Sequence, residues 1–399
     1  WIDLIMGFLF IGLAMCSKGP LGLMIPLITI GTHLFFNKEL KTVLDWKLII
    51  GFIITTLTIT PLLIGLYNQW DLHPEKTLYG VKNISGIKFF LWDQSFGRIT
   101  GSNPFVNNMK EIQSNDPFYF IHTLLWALLP WTILGFSQLF KNIFSVLKGV
   151  KLTEYYTMGA TVLPIILLSF SSYKLPHYIF ICLPFLSILS ASTLLSNKLK
   201  LSMKVVHILP ILIFLSFSIF ICSYSFPSSD VLQWSIIAVL IVCLIFLIAK
   251  RQNSVSFFML ICCSSILFHL NMYTHFYPNL LKFDSAIKAG KKIKSEHQLK
   301  TISYDSNRLD ENWNTLSYSL EFYSENINEM YFSLKKLESF KNKGHWIYTS
   351  EKEMKELNDK GWIKEKIVYD YIATSKINFS FFIPDEREKI IEKKYLIKI

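Results

Sequence analysis

Three short segments of the sequence carry isolated cations between long apolar runs. Lys18 lies in a Ser-Lys-Gly-Pro segment, Arg98 follows an aromatic-rich segment that begins at Ile84, and Lys174 lies in a Ser-Ser-Tyr-Lys-Leu-Pro-His-Tyr segment. Lysine and arginine both donate charge-assisted hydrogen bonds to phosphate. If the three cations lie on one face of a membrane, they form a candidate binding site for an anionic head group.

The segment before Arg98 has the period of an amphipathic helix. At about 100° per residue, an apolar face within about 80° of arc is formed by Phe89, Trp92, Phe96 and Ile99, while Gln94 and Arg98 point the opposite way. Such a helix would lie flat in the membrane interface, with its aromatic rings among the head groups and its cation turned toward a cavity. A plain interfacial helix with a solvated arginine has the same pattern, so the period alone leaves both interpretations open.

The lysine segments also have two interpretations each. Lys174 lies near Tyr173 and Tyr178 in a tight turn, where its ammonium could pair with a phosphate. Lysines that flank membrane spans also extend to the lipid head groups, and by physical argument alone this second role is favoured for Lys174. The Lys18 segment is short and adds one further cation.

Nine apolar runs predict a polytopic α-helical membrane protein. The chain is 51% hydrophobic and only 17% charged, and a bilayer core needs roughly 20 apolar residues per helix. The run interiors lack Asp, Glu, Lys and Arg, which argues against an ion-coupled transporter. The predicted spans are 5–16, 21–36, 48–67, 118–136, 156–170, 177–195, 205–224, 231–249 and 256–270.

The charges between the spans predict their orientation. Eleven basic and three acidic residues fall in four joints, which the positive-inside rule assigns to the cytoplasm: 37–47, 138–154, 197–204 and 250–251. Alternation then places Lys18, the loop 68–117, Lys174 and everything after residue 270 outside. Because these joints supply most of the net charge of +11, the charge does not indicate a nucleic-acid partner.

Residues 271–399 have a different composition from the rest of the chain. The segment contains 22 basic and 19 acidic residues, and in it short apolar strands alternate with charged helices. This pattern predicts a small extracytoplasmic α/β domain after a membrane domain at 1–270. Its predicted elements are 301–304, 316–323, 330–332, 334–340, 345–348, 351–357 and 363–372. No glycine-rich phosphate loop or nucleophile elbow is present, so a packing or acceptor-recognition cap is favoured.

Taken in order, these segments resemble the GT-C superfamily, specifically the lipid-A aminoarabinose transferase and protein O-mannosyltransferase-like family of bacterial membranes. The nine predicted spans resemble the last nine of a longer bundle in that family. The resemblance rests on the Lys-Gly-Pro turn at 18–20, the juxtamembrane segment ending at Arg98, Pro-Phe-Tyr-Phe at 117–120, Pro130-Trp131, the Lys-Leu-Pro-His-Tyr turn at 174–178, Tyr304, and Leu-Glu-Phe-Tyr at 320–323.

The resemblance implies a glycosyltransferase of the bacterial inner membrane. Its donor would be a sugar linked to polyprenyl phosphate, and its acceptor a lipid or protein on the outer side. Arg98 would contact the phosphate, and the resemblance allows supporting roles for Lys18, Lys174, Tyr173 and Tyr178. Relatives follow this arginine with phenylalanine, whereas Ile99 stands here.

The resemblance also implies a catalytic carboxylate and a divalent metal ion. Asp93 matches, loosely, a position where relatives place a polar or metal-contacting side chain. The main catalytic aspartate of the family lies in a loop that would precede Trp1, so the chain is expected to be part of a longer protein and inactive alone. A lipid-linked oligosaccharide flippase, an envelope-assembly scaffold, or an O-antigen polymerase or ligase are the alternatives.

Overall fold

A computed structural model describes residues 1–78, 81–100, 116–171, 174–196, 201–249, 254–298, 300–306, 318–372 and 377–399. The chain divides into two compact units, each with its own core. The first comprises Trp1–Pro210 and Gln252–Phe257, and the second comprises Ile211–Arg251 and Phe258–Ile399. The boundary predicted at residue 270 divides membrane-embedded from soluble residues, whereas these units divide the chain by its internal contacts. The predicted boundary therefore stays a prediction.

The first unit consists mainly of apolar helices, accompanied by a two-stranded hairpin formed by β1 (Thr77–Leu78) and β2 (Val81–Lys82). Its helices are α1 (Ile2–Lys18), α2 (Leu21–Asn37), α3 (Lys47–Leu66), α4 (Gly86–Lys88), α5 (Phe96–Thr100), α6 (Tyr119–Ala127), α7 (Thr132–Leu147), α8 (Tyr156–Ser169), α9 (Leu183–Ser196) and the start of α10 (Leu201–Phe220).

The chain is a multi-pass membrane protein, although nine membrane-spanning helices are not confirmed. Among the described residues, five helical stretches are long and apolar enough to cross a bilayer, and each corresponds to a predicted span. The helices at three other predicted spans, α2, α7 and α8, are apolar but have 14 to 17 residues. The five longer stretches are Lys47–Asp71, Pro176–Leu195, Val205–Ser225, Val231–Ile248 and Val255–Leu281.

The span predicted at 118–136 is wrong as one continuous helix. Helix α6 ends at Ala127, and α7 starts at Thr132 and runs to Leu147, well into the joint predicted to begin at residue 138. Pro130 lies between the two helices. Proline lacks the backbone N–H that a helix needs and its ring clashes with the preceding turn, so the helix is interrupted there.

Small residues bring the helices of the first unit close together. A Cβ atom on Gly12 of α1 would lie 2.6 Å from Thr58 Cβ of α3, and one on Gly159 of α8 would lie 2.4 Å from Thr32 Oγ1 of α2. Thr55 also donates a 2.9 Å hydrogen bond to the backbone carbonyl of Phe8. Close backbone approach and hydroxyl hydrogen bonds are the usual means of helix association in a membrane, because the lipid tails are as apolar as the side chains.

The second unit combines apolar helices with a five-stranded mixed sheet, which confirms a small C-terminal α/β fold. Helices α11 (Val231–Ala249) and α12 (Ser254–Asn271) lead to α13 (Tyr277–Leu281) and α14 (Ser285–Ser295). The sheet order is β4-β3-β5-β7-β6, and β3 is parallel to both neighbours. The strands are β3 (Thr301–Tyr304), β4 (Asn328–Tyr331), β5 (Trp346–Ser350), β6 (Glu365–Tyr371) and β7 (Glu392–Lys398), and the remaining helices are α15 (Tyr318–Ser324), α16 (Leu334–Leu337), α17 (Glu351–Asp359) and α18 (Pro384–Ile390).

Side chains alternate between the two faces of this sheet, and both faces are covered. Ile302 and Ile347 pack with Leu337 of α16 and Leu357 of α17 on one face. On the other face, Trp346 and Leu396 pack with Ala289 of α14 and Leu320 of α15. The period of two along each strand thus builds a three-layer α/β/α arrangement.

Candidate functional site

One cavity of the first unit is lined by all three segments that carry the predicted cations. Its volume is about 450 Å³. We call it the three-segment cavity. The α1–α2 turn contributes Ser17, Lys18, Gly19 and Pro20, the juxtamembrane segment contributes Phe90, Gln94, Ser95 and Phe96, and the turn before α9 contributes Ser171, His177, Tyr178 and Ile181, with Leu21, Met24 and Leu168 completing the wall.

Lys18 supplies the positive charge among the described lining residues. It is the last residue of α1, its side chain is exposed, and its ammonium makes no hydrogen bond or ion pair with the described part of the chain. A cation is favourable at the C-terminus of a helix because the last carbonyl groups carry partial negative charge. The ammonium therefore remains available to an anion in this cavity.

Gly19 allows the α1–α2 turn to lie against the juxtamembrane segment. Its φ of 60° is in the left-handed region, and a Cβ atom at this position would lie 3.1 Å from the Phe90 carbonyl oxygen and 3.5 Å from Ser95 Oγ. Only glycine adopts such a backbone conformation at little cost and leaves room for so close a neighbour. Lys18 thereby faces the same space as Phe90 and Ser95.

Gly19→Ala is expected to destabilise the first unit more than Gly149→Ala. Both glycines have positive φ, but nothing lies within 4 Å of a Cβ atom on Gly149, so the second substitution costs about 1 kcal/mol of backbone strain alone. The contact with Phe90 adds to that strain, and a total near 2 kcal/mol is expected for Gly19→Ala. Unfolding of the detergent-solubilised protein by sodium dodecyl sulfate measures both, and equal losses would contradict the close contact.

Lys174 lies near this cavity in sequence but has a different partner. Only 5% of Lys174 is exposed, and its ammonium donates a 2.7 Å hydrogen bond to the backbone carbonyl of Asp116. The Asp116 carboxylate in turn accepts a 2.8 Å hydrogen bond from the Phe118 amide just before α6. Lys174 thus ties its turn to the start of α6, and its predicted contact with a phosphate stays a prediction.

The other predicted site residues are placed as follows. Asp93 is 8% exposed and ends a helical turn at Phe89–Asp93, outside the lining of the three-segment cavity. Arg98 lies in α5, two residues after Phe96, although its side chain falls outside the described structure, as does the whole of Tyr173. Tyr178 lines the cavity. The roles of these residues stay predictions.

The described residues do not assemble a recognisable metal centre. They contain no group of three or more His, Cys, Asp or Glu side chains close enough to hold an ion. The described lining of the three-segment cavity includes no carboxylate, the ligand that Mg²⁺ and Ca²⁺ prefer. A divalent metal ion therefore stays a prediction.

Among the polar residues of the cavity that were not predicted site residues, His177 and Gln94 have the longest side chains. His177 occupies the unspecified position of the Lys-Leu-Pro-x-Tyr turn, and its ring packs edge-on against Tyr178 at 4.9 Å between centroids. Gln94 falls on the same helical face as Arg98, so the period that singled out the arginine could also have identified the amide. Both add hydrogen-bonding groups beside Lys18.

A second cavity of the first unit lies along α2 and α8, two helices that also line the three-segment cavity. Residues 27–36 of α2 and 158–163 of α8 line it, together with 143–147 of α7, and its volume is about 590 Å³. The described lining is apolar apart from Thr32. We call it the apolar groove. Because Leu21, Met24 and Leu168 of α2 and α8 also line the three-segment cavity, one helix pair carries the cavity that contains Lys18 at one end and the apolar groove toward the other.

Comparisons with known proteins identify the fold. No protein-family model matches the chain, and no curated protein sequence matches it significantly. Two solved structures do: ArnT from Cupriavidus metallidurans bound to undecaprenyl phosphate, with a TM-score of 0.65 and 13% identity, and the same protein in the apo state, with 0.62 and 14%. Each alignment covers 99% of this chain and 68% of that chain. The resemblance predicted from the sequence is therefore confirmed at the level of the fold, which this chain shares with ArnT.

Proposed function

We propose that this chain forms the lipid-phosphate side of a GT-C glycosyltransferase. The enzyme moves a sugar from a polyprenyl-phosphate carrier to an acceptor, either a lipid resembling lipid A or a protein. The reaction takes place on the outer face of the bacterial inner membrane, where the positive-inside pattern puts the three cation segments and the C-terminal domain.

The observation that carries this proposal is the pairing of the two cavities on α2 and α8. A polyprenyl phosphate has one anionic head and a long apolar chain, so it needs a cation next to an apolar channel. Lys18 lines the three-segment cavity, and the apolar groove follows along the same helices. The ArnT structure at a TM-score of 0.65 contains undecaprenyl phosphate, which supports the same class of lipid here.

The chemistry would be a displacement at the anomeric carbon of the donor sugar. The acceptor oxygen loses its proton to a carboxylate and bonds to that carbon, while the bond from the carbon to the phosphate oxygen breaks. Negative charge then collects on the departing polyprenyl phosphate, and cations that are already in place stabilise it. We assign that stabilisation to Arg98 and Lys18, with hydrogen bonds from Tyr178 and Gln94.

Arg98→Ala in the whole gene product is expected to reduce sugar transfer at least 10²-fold, because it removes a charged contact to the leaving group. The measurement is the release of undecaprenyl phosphate from undecaprenyl-phosphate-linked aminoarabinose, or mannose, by membranes containing equal amounts of each protein. Lys88→Ala is the matched control, since Lys88 is an exposed cation of the same juxtamembrane segment and does not line the cavity. Wild-type transfer by Arg98→Ala would remove Arg98 from the site.

The same assay separates the transferase from the other membrane proteins that handle polyprenyl carriers. A flippase would move the lipid-linked sugar across the bilayer without releasing the carrier, and a scaffold would do neither. If wild-type membranes release no undecaprenyl phosphate from either donor but transport the intact lipid, the transferase proposal is wrong.

A further inference from the structure

A cavity of about 550 Å³ opens in the C-terminal sheet domain, far along the chain from the three cation segments. It lies where two parallel strands end: Ser303 and Tyr304 close β3, and Thr349 and Ser350 close β5, and all four line it. Asp284, at the N-cap of α14, also lines it. All of the lining residues belong to the second unit.

The order of the strands makes this edge of the sheet a natural place for a ligand. The chain leaves β3 through α15 to β4, the strand at one edge of the sheet. It leaves β5 through α17 to β6, the strand at the other edge. The connections leaving β3 and β5 therefore diverge. In open α/β sheets, this divergence opens a crevice at the carboxyl ends of the strands, where ligands bind.

The side chains in this crevice combine aromatic rings with hydroxyl and carboxylate groups. Tyr318 and Tyr371 line the cavity with Tyr348, whose hydroxyl hydrogen-bonds with Ser285 Oγ. Burial raises the pKa of Tyr348, so its hydroxyl stays protonated at neutral pH. Asp284 accepts hydrogen bonds from the Ala286 amide and Ser319 Oγ, and a carboxylate has capacity for more. Aromatic faces and such acceptors suit a molecule that carries both C–H faces and hydroxyl groups.

Lys394 brings a positive charge to a crevice whose described lining also includes two carboxylates, Asp284 and Asp305. Its ammonium lies 5.3 Å from the centre of the Tyr371 ring, and within the described part of the chain it makes no hydrogen bond or ion pair. The preceding residue on β7, Lys393, points to the other face of the sheet and pairs with Asp370. The two adjacent lysines thus differ in their surroundings: Lys393 is paired on the surface, whereas Lys394 lines the crevice.

We propose that the crevice between the ends of β3 and β5 binds a phosphorylated saccharide. Lys394 contacts the phosphate, while Tyr318, Tyr371 and Asp284 contact the sugar ring and its hydroxyl groups. A cavity of this size holds a mono- or disaccharide. The ligand is either a free sugar phosphate or the head group of a glycolipid, since the two have the same chemistry. The site does not depend on the transfer reaction proposed above, because it needs no donor and no catalytic acid.

Isothermal titration of the whole chain in nanodiscs tests this proposal. The probes are glucosamine 6-phosphate, glucosamine, inorganic phosphate, and a phosphorylated glucosamine attached to an acyl anchor. Lys394→Ala is expected to raise the Kd for glucosamine 6-phosphate on the order of tenfold or more, because it removes a charge-assisted contact. Lys394→Arg is expected to retain most of the affinity, and Lys393→Ala is expected to leave Kd within about twofold of wild type.

Each outcome decides the proposal. Binding of the soluble sugar phosphate that depends on Lys394 supports it with a free ligand, and Lys394-dependent binding of the anchored probe alone supports it with a glycolipid head group. The proposal is overturned if no phosphorylated saccharide binds, if Lys393→Ala weakens binding as much as Lys394→Ala, or if inorganic phosphate binds as tightly as glucosamine 6-phosphate. None of these measurements requires transfer activity, so failure here is distinct from failure of the proposed glycosyltransferase.

Discussion

Lys18→Ala is expected to weaken binding of undecaprenyl phosphate by about 10- to 100-fold. Lys18 carries a charge that no described residue neutralises, and it lines a cavity shared with serine, glutamine, histidine and tyrosine side chains. A hydrogen bond to a charged group contributes about 1.5–3 kcal/mol, which corresponds to that range of affinity. The cavity is partly enclosed by α2 and the juxtamembrane segment, so the charge should be screened less than at an open surface.

Binding is best measured by titrating undecaprenyl phosphate into the chain in nanodiscs of neutral lipid at two salt concentrations. Lys148→Ala is the matched control, because Lys148 is likewise an exposed lysine at the end of an apolar helix and pairs with no described residue, but it lies outside both cavities. An equal loss of affinity in both variants would show a general effect of charge on lipid binding. Undiminished affinity in Lys18→Ala would remove Lys18 from the site.

The sequence predicted some of the residues that line the three-segment cavity, but it did not predict which groups hydrogen-bond to each predicted residue. Lys18 and Tyr178 were both predicted site residues and both line the cavity, which agrees with the predicted alternation of the spans that puts their turns on one face of the membrane. The alternation of the spans does not determine which groups lie close enough to a side chain to hydrogen-bond with it. Lys174 was predicted on the same face, yet its ammonium lies against the Asp116 carbonyl, a pairing between residues 58 positions apart that no local pattern encodes.

The C-terminal domain shows the same limit in its secondary structure. The apolar alternation of β3 and β5 was visible, and the predicted strand 301–304 coincides with β3. Strand β7 was missed, although it lies between β5 and β6 in the sheet. Its first three residues are Glu392, Lys393 and Lys394, which suggest an exposed segment, and only pairing with two neighbours in the folded domain makes them a strand.

Arg387→Ala is expected to lower the free energy of unfolding of the second unit by about 3 kcal/mol. Arg387 lies in α18 with only 9% of its surface exposed. Its guanidinium donates hydrogen bonds to the carbonyl oxygens of Phe381, at 2.7 Å, and Ser225, at 2.8 Å, and to Ser225 Oγ, at 2.9 Å. Alanine would leave two buried carbonyl groups unsatisfied, and each such group costs about 1–3 kcal/mol.

Aromatic rings surround the same guanidinium. Its central carbon lies 4.0 Å from the centre of the Phe226 ring, 5.1 Å from Phe381 and 5.8 Å from Phe283. No described carboxylate pairs with it, and burial accordingly lowers the pKa of Arg387 from its ordinary value. The charge is therefore stabilised by carbonyl dipoles and ring faces, an arrangement worth up to about 2 kcal/mol per desolvated cation–π contact.

Thermal and denaturant unfolding of the detergent-solubilised protein can measure this contribution. Lys389→Ala is the control, since Lys389 lies on the same helix with its side chain in solvent, and a change within about 0.5 kcal/mol is expected. If Arg387→Ala unfolds no more easily than Lys389→Ala, the described contacts do not contribute to stability.

Two further variants separate the geometry of Arg387 from its charge. Arg387→Lys keeps the positive charge, but one ammonium cannot reproduce a planar fork that reaches Phe381 and Ser225 from different nitrogens, so only part of the lost stability should return. Arg387→Met keeps most of the apolar volume against Phe226 and removes the charge. Buried charged groups are sometimes replaced by apolar residues without loss of stability. Here, however, methionine would leave the carbonyl oxygens of Ser225 and Phe381 without the hydrogen bonds that Arg387 donates. Lysine should therefore exceed methionine in stability, and the reverse order would mean that the rings rather than the hydrogen bonds fix this helix.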